Sequence, residues 1–327
     1  MSLLEVIIVV ALMFAISAVV SGLALGSTRA EGYVQRSVQL TGATQDLIEM
    51  VRKDVSGSTH FFVNDAAGLS YWQRLDRSAA NAYSARLPKL SATGIFKKDL
   101  FGNEKSGNAL LFGLLERSDI FDCGNPSGHT VRVDIYRFVA YYLHRIDGGA
   151  PGSKVDGLEL IKWVSVPVAD MSQVEGVTDS IELENLLKHF YQGSNPVDSN
   201  LPYPAVRYLW RQSEPIASAF HAIKADGSFV PVPATWLIPM DVKRSKLDLL
   251  SRNDFSIASN QAGSSRGIGR FGLVNLTGNG FPHGFETQIV GPASARQILM
   301  HLTTVSGKGL GLRSWGDVLG VAETRDL

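Results

Sequence analysis

Met1-Ser-Leu-Leu-Glu5-Val-Ile-Ile-Val-Val10-Ala-Leu-Met-Phe-Ala15-Ile-Ser-Ala-Val-Val20-Ser-Gly-Leu-Ala-Leu25 opens the chain, and its reading decides the fold. From Val6 to Leu25 no residue is charged, and none is more polar than Ser17 and Ser21. About twenty residues at 1.5 Å rise make roughly 30 Å of helix, the thickness of a bilayer's hydrocarbon core. Inside hydrocarbon a helix satisfies its own backbone hydrogen bonds, so the stretch predicts a single membrane-spanning helix. Glu5 stands at its head, where a carboxylate is costly and usually has a partner. Two readings account for it. In an ordinary anchor Glu5 lies in the headgroup layer. In a bundle of such helices it pairs with the free amine of Met1 on a staggered neighbour, because that amine lies about one helical turn away.

The segment that follows, from about Glu31 to Val55, is more polar but still helical in period. Val34 and Val38 lie one turn apart, and Leu47, Ile48, Val51 and Val55 form a clearer stripe. Asp46, Glu49, Arg52 and Lys53 fall on the other sides. No proline interrupts Met1 to Thr59. The two segments therefore predict one helix of roughly 80 Å, half in a membrane and half packed on a globular head. Ser56-Gly57-Ser58-Thr59 is its stop.

Met1, Glu5 and the run Val6-Ile7-Ile8-Val9-Val10-Ala11 resemble the mature N-terminus of type IV pilins and type II secretion pseudopilins. The resemblance covers about the first 55 residues. It implies a filament subunit whose Glu5 pairs with the Met1 amine of a neighbour, and a precursor trimmed and methylated by a prepilin peptidase. Two departures stand out. The short basic leader of a prepilin is not in the sequence, and Arg29 and Arg36 follow the span with no basic residue before it. By the positive-inside rule that bias would keep the head cytoplasmic, and a removed leader would reverse it. The sequence is accordingly read as an already processed chain. Many pilins also have a proline where this chain has Gly22. Gly22 and Gly26 either loosen the helix in its place or allow close helix packing through small residues.

Composition bounds the remainder. The chain has 327 residues, with Lys plus Arg and Asp plus Glu both at 31, so nothing points to nucleic acid. Glycine, at 32, favours a turn-rich β protein. The single cysteine, Cys123, excludes an intramolecular disulfide and is read as a buried thiol.

Residues 60 to 107 read as loops, with turns at Asp65-Ala-Ala-Gly68 and Phe101-Gly-Asn-Glu and one short helix near Arg74 to Tyr83. Strands follow at Ala109–Leu115, Thr130–His144 and Leu158–Val164, the last two as a hairpin with a long loop. Thr178 to His189 is a short amphipathic helix with Asp179 as N-cap and Glu182 completing a box. Further strands are expected at Val206–Gln212, Ser228–Val232, Arg270–Leu276, Phe285–Val290 and Arg296–Val305. Val139-Ala-Tyr-Tyr-Leu-His-Arg145 followed by Leu158-Glu-Leu-Ile-Lys162 is loosely similar to the large minor pilins of the J-type pseudopilin and W-type pilin groups. That likeness covers about residues 109 to 190.

Several motifs carry chemistry elsewhere but not in this context. Gly267-Ile-Gly269-Arg-Phe-Gly272 matches the dinucleotide fingerprint, and Gly263-Ser-Ser265-Arg-Gly267 the nucleophile elbow. Both need a strand before and a helix after, and the flanks are Ser/Gly-rich without room for one. The histidines are scattered without ligand spacing. Asp119, Asp122 and Asn125 make an oxygen-rich cluster that reads as an Asx-rich turn rather than a calcium loop. Asn275-Leu-Thr277 is a chance-frequency sequon.

The expected fold is α+β: a long pilin-like N-terminal helix and a large β-rich head. Its boundaries are 1–28 for the membrane or filament-core half, 29–58 for the amphipathic half, and 59–327 for the head, with room for an inserted subdomain. The expected function is a structural, minor subunit of a type IV pilus or pseudopilus-like filament. The alternative is a membrane-anchored extracytoplasmic binding or adhesion domain that does not polymerise. Neither requires catalysis, a metal or a cofactor. The expected partners are other pilin-like subunits, a prepilin peptidase and the bacterial inner membrane, with the head outside the cytoplasm.

Overall fold

A computed structural model describes residues 2–91, 106–122, 130–146, 157–195, 197–198, 200–245, 255–258, 284–306 and 315–325. Met1, Cys123, Asn125, His129, His283, the expected strand at Arg270–Leu276, both glycine motifs between Gly263 and Gly272, and the Asn275 sequon lie outside the described residues.

The first element is one unbroken helix, α1 (Leu3–Ser56), capped at its start by Ser2. Gly57 ends it, donating its N–H to the Asp54 carbonyl at 3.2 Å. The Ser58 hydroxyl gives a further bond to the Val55 carbonyl at 2.6 Å. The stop falls where the Ser-Gly-Ser-Thr run places it. After α1 come β1 (Ser58–Phe61), α2 (Ala66–Gln73), β2 (Leu90–Ser91), β3 (Ala109–Asp122), β4 (Thr130–Ile146), β5 (Gly157–Val164) and β6 (Val168–Asp170). Then follow α3 (Met171–Glu175), α4 (Ser180–Gln192), β7 (Tyr208–Trp210), β8 (Phe220–Ile223) and β9 (Phe229–Pro231). The chain finishes with β10 (Phe255–Ile257), β11 (Phe285–Val290), β12 (Arg296–Ser306) and β13 (Trp315–Thr324). The fold is α+β, a long hydrophobic N-terminal helix packed on a large mixed sheet.

Among the described residues all thirteen strands join one sheet, in the order β2-β11-β12-β10-β5-β4-β6-β7-β8-β9. β3 lies on β4, β1 on β3, and β13 on β12. Gly107 and Thr287 exchange backbone bonds of 2.9 and 2.8 Å, so β11 touches the start of β3 and the sheet curls until these regions meet. β4 and β5 form the expected hairpin, paired from Val139–Val164 to Ile146–Gly157. β3 is longer than its apolar run suggested because a bulge at Glu116 lets it follow β4 to Asp122. There the buried Arg137 donates to Glu116 at 2.6 Å and to Asp241 at 2.8 Å.

β4 is buried on both faces. Val139, Tyr141 and Leu143 enter the core shared with α1, while Phe138, Ala140 and Tyr142 enter a second core with Tyr71, Trp163 and Trp210. A strand covered on both sides reads as a continuous apolar run rather than an alternation. A third core packs α4 through Leu186, Leu187 and Phe190 onto Phe121, Val133 and Ile135. Asp179 caps α4, accepting from the Ile181 and Glu182 amides.

The expected helix at Arg74–Tyr83 is not formed. The helix lies earlier, at α2, because Asp65 accepts the Gly68 N–H at 2.7 Å and acts as its N-cap. The four residues read as a turn are thus a helix start. Arg74 is the last residue of that helix's cap, and Leu75 leaves it to bridge Ile238.

Candidate functional site

The part of the molecule that the head leaves uncovered is the N-terminal half of α1. From Leu3 to Glu31 every residue is exposed, and by length and composition the helix can cross a membrane. The first buried residue is Leu40, and from there Thr44, Leu47, Ile48, Val51 and Val55 form the stripe that faces the head. Val34 and Val38 are 59 and 66% exposed. At about 100° per residue their ridge points roughly 90° or more from that stripe. They continue the helix but do not pack on the head.

Glu5 has an intrachain partner that its spacing from Ser2 could have revealed. The Ser2 N–H donates to Glu5 Oε2 at 2.9 Å, and the Glu5 N–H to Ser2 Oγ at 3.4 Å. This is the reciprocal Ser-x-x-Glu box, which satisfies two otherwise orphan donors and puts a negative group at the positive end of the helix. Met1 lies outside the described residues. Gly22 and Gly26 sit in continuous helix, and a Cβ at either would meet nothing within 4 Å. Between them and the head, the Thr28 hydroxyl bonds back to the Ala24 carbonyl at 2.9 Å. Back-bonding of this kind slightly weakens and bends helices.

The other half of α1 is fixed to the head by polar ties set along its length. Thr44 and Thr304 share a buried hydroxyl bond of 2.6 Å. Asp54 accepts the Tyr141 hydroxyl at 2.6 Å and pairs with Lys162 at 2.5 Å. At the end of the helix the Thr324 hydroxyl donates to the Ser58 carbonyl at 2.7 Å. Burial first, and then the Asp54 carboxylate, raise the Tyr141 pKa, so its hydroxyl remains a donor.

Two glycines bring β13 against the helix. A Cβ on Gly316 would lie 3.0 Å from Thr44 Oγ1, and one on Gly320 would lie 2.5 Å from Ile48 Cγ2. Residue numbers rise together along both elements, from Thr44–Gly316 through Ile48–Gly320 to Ser58–Thr324. α1 and β13 therefore run in the same direction. None of these ties is legible in the sequence, since each pairs residues far apart along the chain.

Titratable groups gather on the opposite face of β12. His301 Nε2 meets Asp317, its Nδ1 lies 3.4 Å from Glu286, and Thr303 donates to Asp317 at 2.9 Å. Burial alone would lower the pKa of His301, but the Glu286 and Asp317 carboxylates outweigh it and raise it. Burial pushes the Glu286 carboxyl up as well, against the lowering effect of His301. The two ring nitrogens of His301 face different carboxylates, which is a structural clamp geometry rather than convergence on one ion. Among the described residues no group of three His, Cys, Asp or Glu is placed to hold a metal. His60, His144, His189 and His221 stand apart on β1, β4, α4 and β8. Asp119, from the expected oxygen-rich cluster, instead pairs with Arg117 at 2.8 Å. A cleft of about 800 Å³ runs between β1, α2 and residues 212–217, with a wall that includes Phe61, Phe62 and Ile216.

No protein-family model matches this chain, and no curated protein or solved structure matches it either.

Proposed function

We propose that the protein is a structural subunit, of the minor class, in a type IV pilus or pseudopilus-like filament. The observation that carries this reading is the contrast within α1: one continuous helix, apolar and uncovered in its first half, rigidly tied to a β-rich head in its second. Burial of that apolar half against copies of itself or related subunits is the driving force, at about 25 cal/mol per Å² of apolar surface. Glu5, at the head of the apolar run, pairs with the Met1 amine of a neighbour and sets the axial register, a buried pair being better suited to specificity than to net stability. The precursor is trimmed by a prepilin peptidase, the helix resides in the bacterial inner membrane before assembly, and the head faces outward. No catalytic role is proposed.

The test is intact mass and N-terminal fragmentation of protein from its native host, combined with filament incorporation of Glu5→Ala. The expected outcome is an N-methylated Met1 and loss of incorporation in the variant. Residues retained ahead of Met1, together with normal incorporation of Glu5→Ala, would overturn the reading.

A second reading has one observation in its favour. The Ser2–Glu5 box satisfies the carboxylate without any neighbour. A permanently membrane-tethered binding or adhesion domain would need no more than that, and it would tolerate Glu5→Gln.

A further inference from the structure

β13 is paired on one side only among the described residues, along its whole length to β12 from Arg296–Thr324 to Val305–Trp315. A ten-residue edge strand is a ready template for another strand unless it is short, bulged or blunted by charge or proline. β13 is none of these in its middle. Its inward positions are Gly316, Val318, Gly320 and Ala322, against α1 and the core. Its outward positions are Asp317, Leu319, Val321 and Glu323. Leu319 and Val321 are 62 and 46% exposed, so two apolar side chains stand side by side on the open edge between two acids. We propose that this edge docks an extended segment of a different protein, added as a strand, with two apolar residues flanked by basic ones at alternate positions.

The chemistry selects that occupant. Side chains directly opposite each other on paired strands interact by about 0.2–1 kcal/mol, and like charges there repel. Asp317 already takes His301 and Thr303, and Glu323 the Gln297 amide, but both carboxylates stay exposed. Lys or Arg opposite them, with apolar residues opposite Leu319 and Val321, therefore complements every outward position. A second copy of this chain does not: parallel in-register pairing keeps the helices aligned but sets Asp317 beside Asp317 and Glu323 beside Glu323. Antiparallel self-pairing that matches the apolar residues sets Asp317 against Glu323 twice. It also turns the two α1 helices in opposite directions, because each runs parallel to its own β13. Helices so opposed cannot enter one membrane or one polar filament. Only this exclusion rests on the proposed function; the edge and its charge pattern do not.

The test uses the full chain in detergent micelles and two labelled peptides, Lys-Thr-Ile-Thr-Val-Thr-Lys and the same sequence with Glu for both Lys. The expected result is that the basic peptide binds roughly tenfold more tightly than the acidic one and slows amide exchange across residues 315–324. Leu319→Lys with Val321→Lys should remove this preference, and a cooperative thermal transition retained by the variant shows that the head still folds. Equal binding of the two peptides, unchanged exchange in β13, or indifference to the double variant would overturn the proposal. Self-association of the full chain abolished by the double variant would also overturn it, in favour of a second copy. If the filament reading fails instead, Glu5→Ala incorporates normally while the peptide result stands.

Discussion

The Tyr141 hydroxyl donates to Asp54 at 2.6 Å, joining the last turn of the membrane-type helix to the central strand of the head. Lys162, from the neighbouring strand β5, holds the same carboxylate oxygen. Asp54→Ala strands a buried hydroxyl and a largely buried ammonium at once. Leaving such groups without partners costs about 2–3 kcal/mol. Tyr141→Phe removes donor and desolvation penalty together, and is expected to cost nearer 1 kcal/mol. Denaturant unfolding of the full chain in micelles, followed by tryptophan fluorescence, checks the order Asp54→Ala worse than Tyr141→Phe. The reverse order would mean that the contact does not bear on the junction.

Gly320 is predicted to be intolerant of even one methyl group. A Cβ there would stand 2.5 Å from Ile48 Cγ2, so either the helix or β13 must shift. Overpacking of this kind costs about 1–3 kcal/mol. Ile48→Ala alone should cost about 2–5 kcal/mol through the cavity it leaves. Because the new methyl and the lost Cγ2 compete for one space, the double variant should be less destabilised than the sum of the singles. Additive effects would show that helix and strand do not meet there.

These two sites mark what the sequence could and could not disclose. The apolar run to Leu25 and the Leu47-Ile48-Val51-Val55 stripe are periodic, so the helix, its stop and its packed face were readable. Strands β4, β5, β11 and β12 were readable for the same reason. β13 was not, because Gly316 and Gly320 look like strand breakers and acquire their meaning only from a helix some 270 positions earlier in the chain. Asp65-Ala-Ala-Gly68 misled for a different reason: an Asx turn and an N-cap use the same side-chain bond, and the burial of Tyr71 and Trp72 decides between them. At the uncovered end of α1, Glu5 stands out in the sequence as the lone charge at the head of an apolar run, and Ser2 three residues before it completes a Ser-x-x-Glu box.

The His301 clamp predicts how stability depends on pH. His301 faces Glu286 on β11 and Asp317 on β13, with the Thr303 hydroxyl alongside. Its folded pKa is raised, so its contribution is fully present below the unfolded value of about 6.5 and is lost as pH rises through the folded value. Glu286 is raised as well, by burial, so its contribution is lost in the same direction but from a lower pH. Unfolding midpoints should therefore fall as pH increases from about 6.5 into the alkaline range. In His301→Gln that part of the slope should be absent. A slope in this window that His301→Gln leaves intact would assign it to other groups.

Gly22 and Gly26 separate what the isolated chain needs from what the proposed filament needs. Neither glycine makes room for anything in the single molecule, where a Cβ would meet only open space. Alanine is the better helix former by about 1 kcal/mol per site, so Gly22→Ala with Gly26→Ala should leave the helix in micelles at least as well ordered as before, by circular dichroism. In a filament the same two methyl groups act differently. They stiffen a segment that is otherwise weakened by two glycines and the Thr28 back-bond, and they hold neighbouring helices apart where small residues would let backbones approach. The expected outcome is undiminished helicity with reduced filament incorporation. Restoring Gly22 alone, then Gly26 alone, locates which position matters. If the double variant incorporates like the native chain, neither loosening nor close packing at these glycines contributes to assembly, and the uncovered half of α1 must associate through its larger apolar side chains alone.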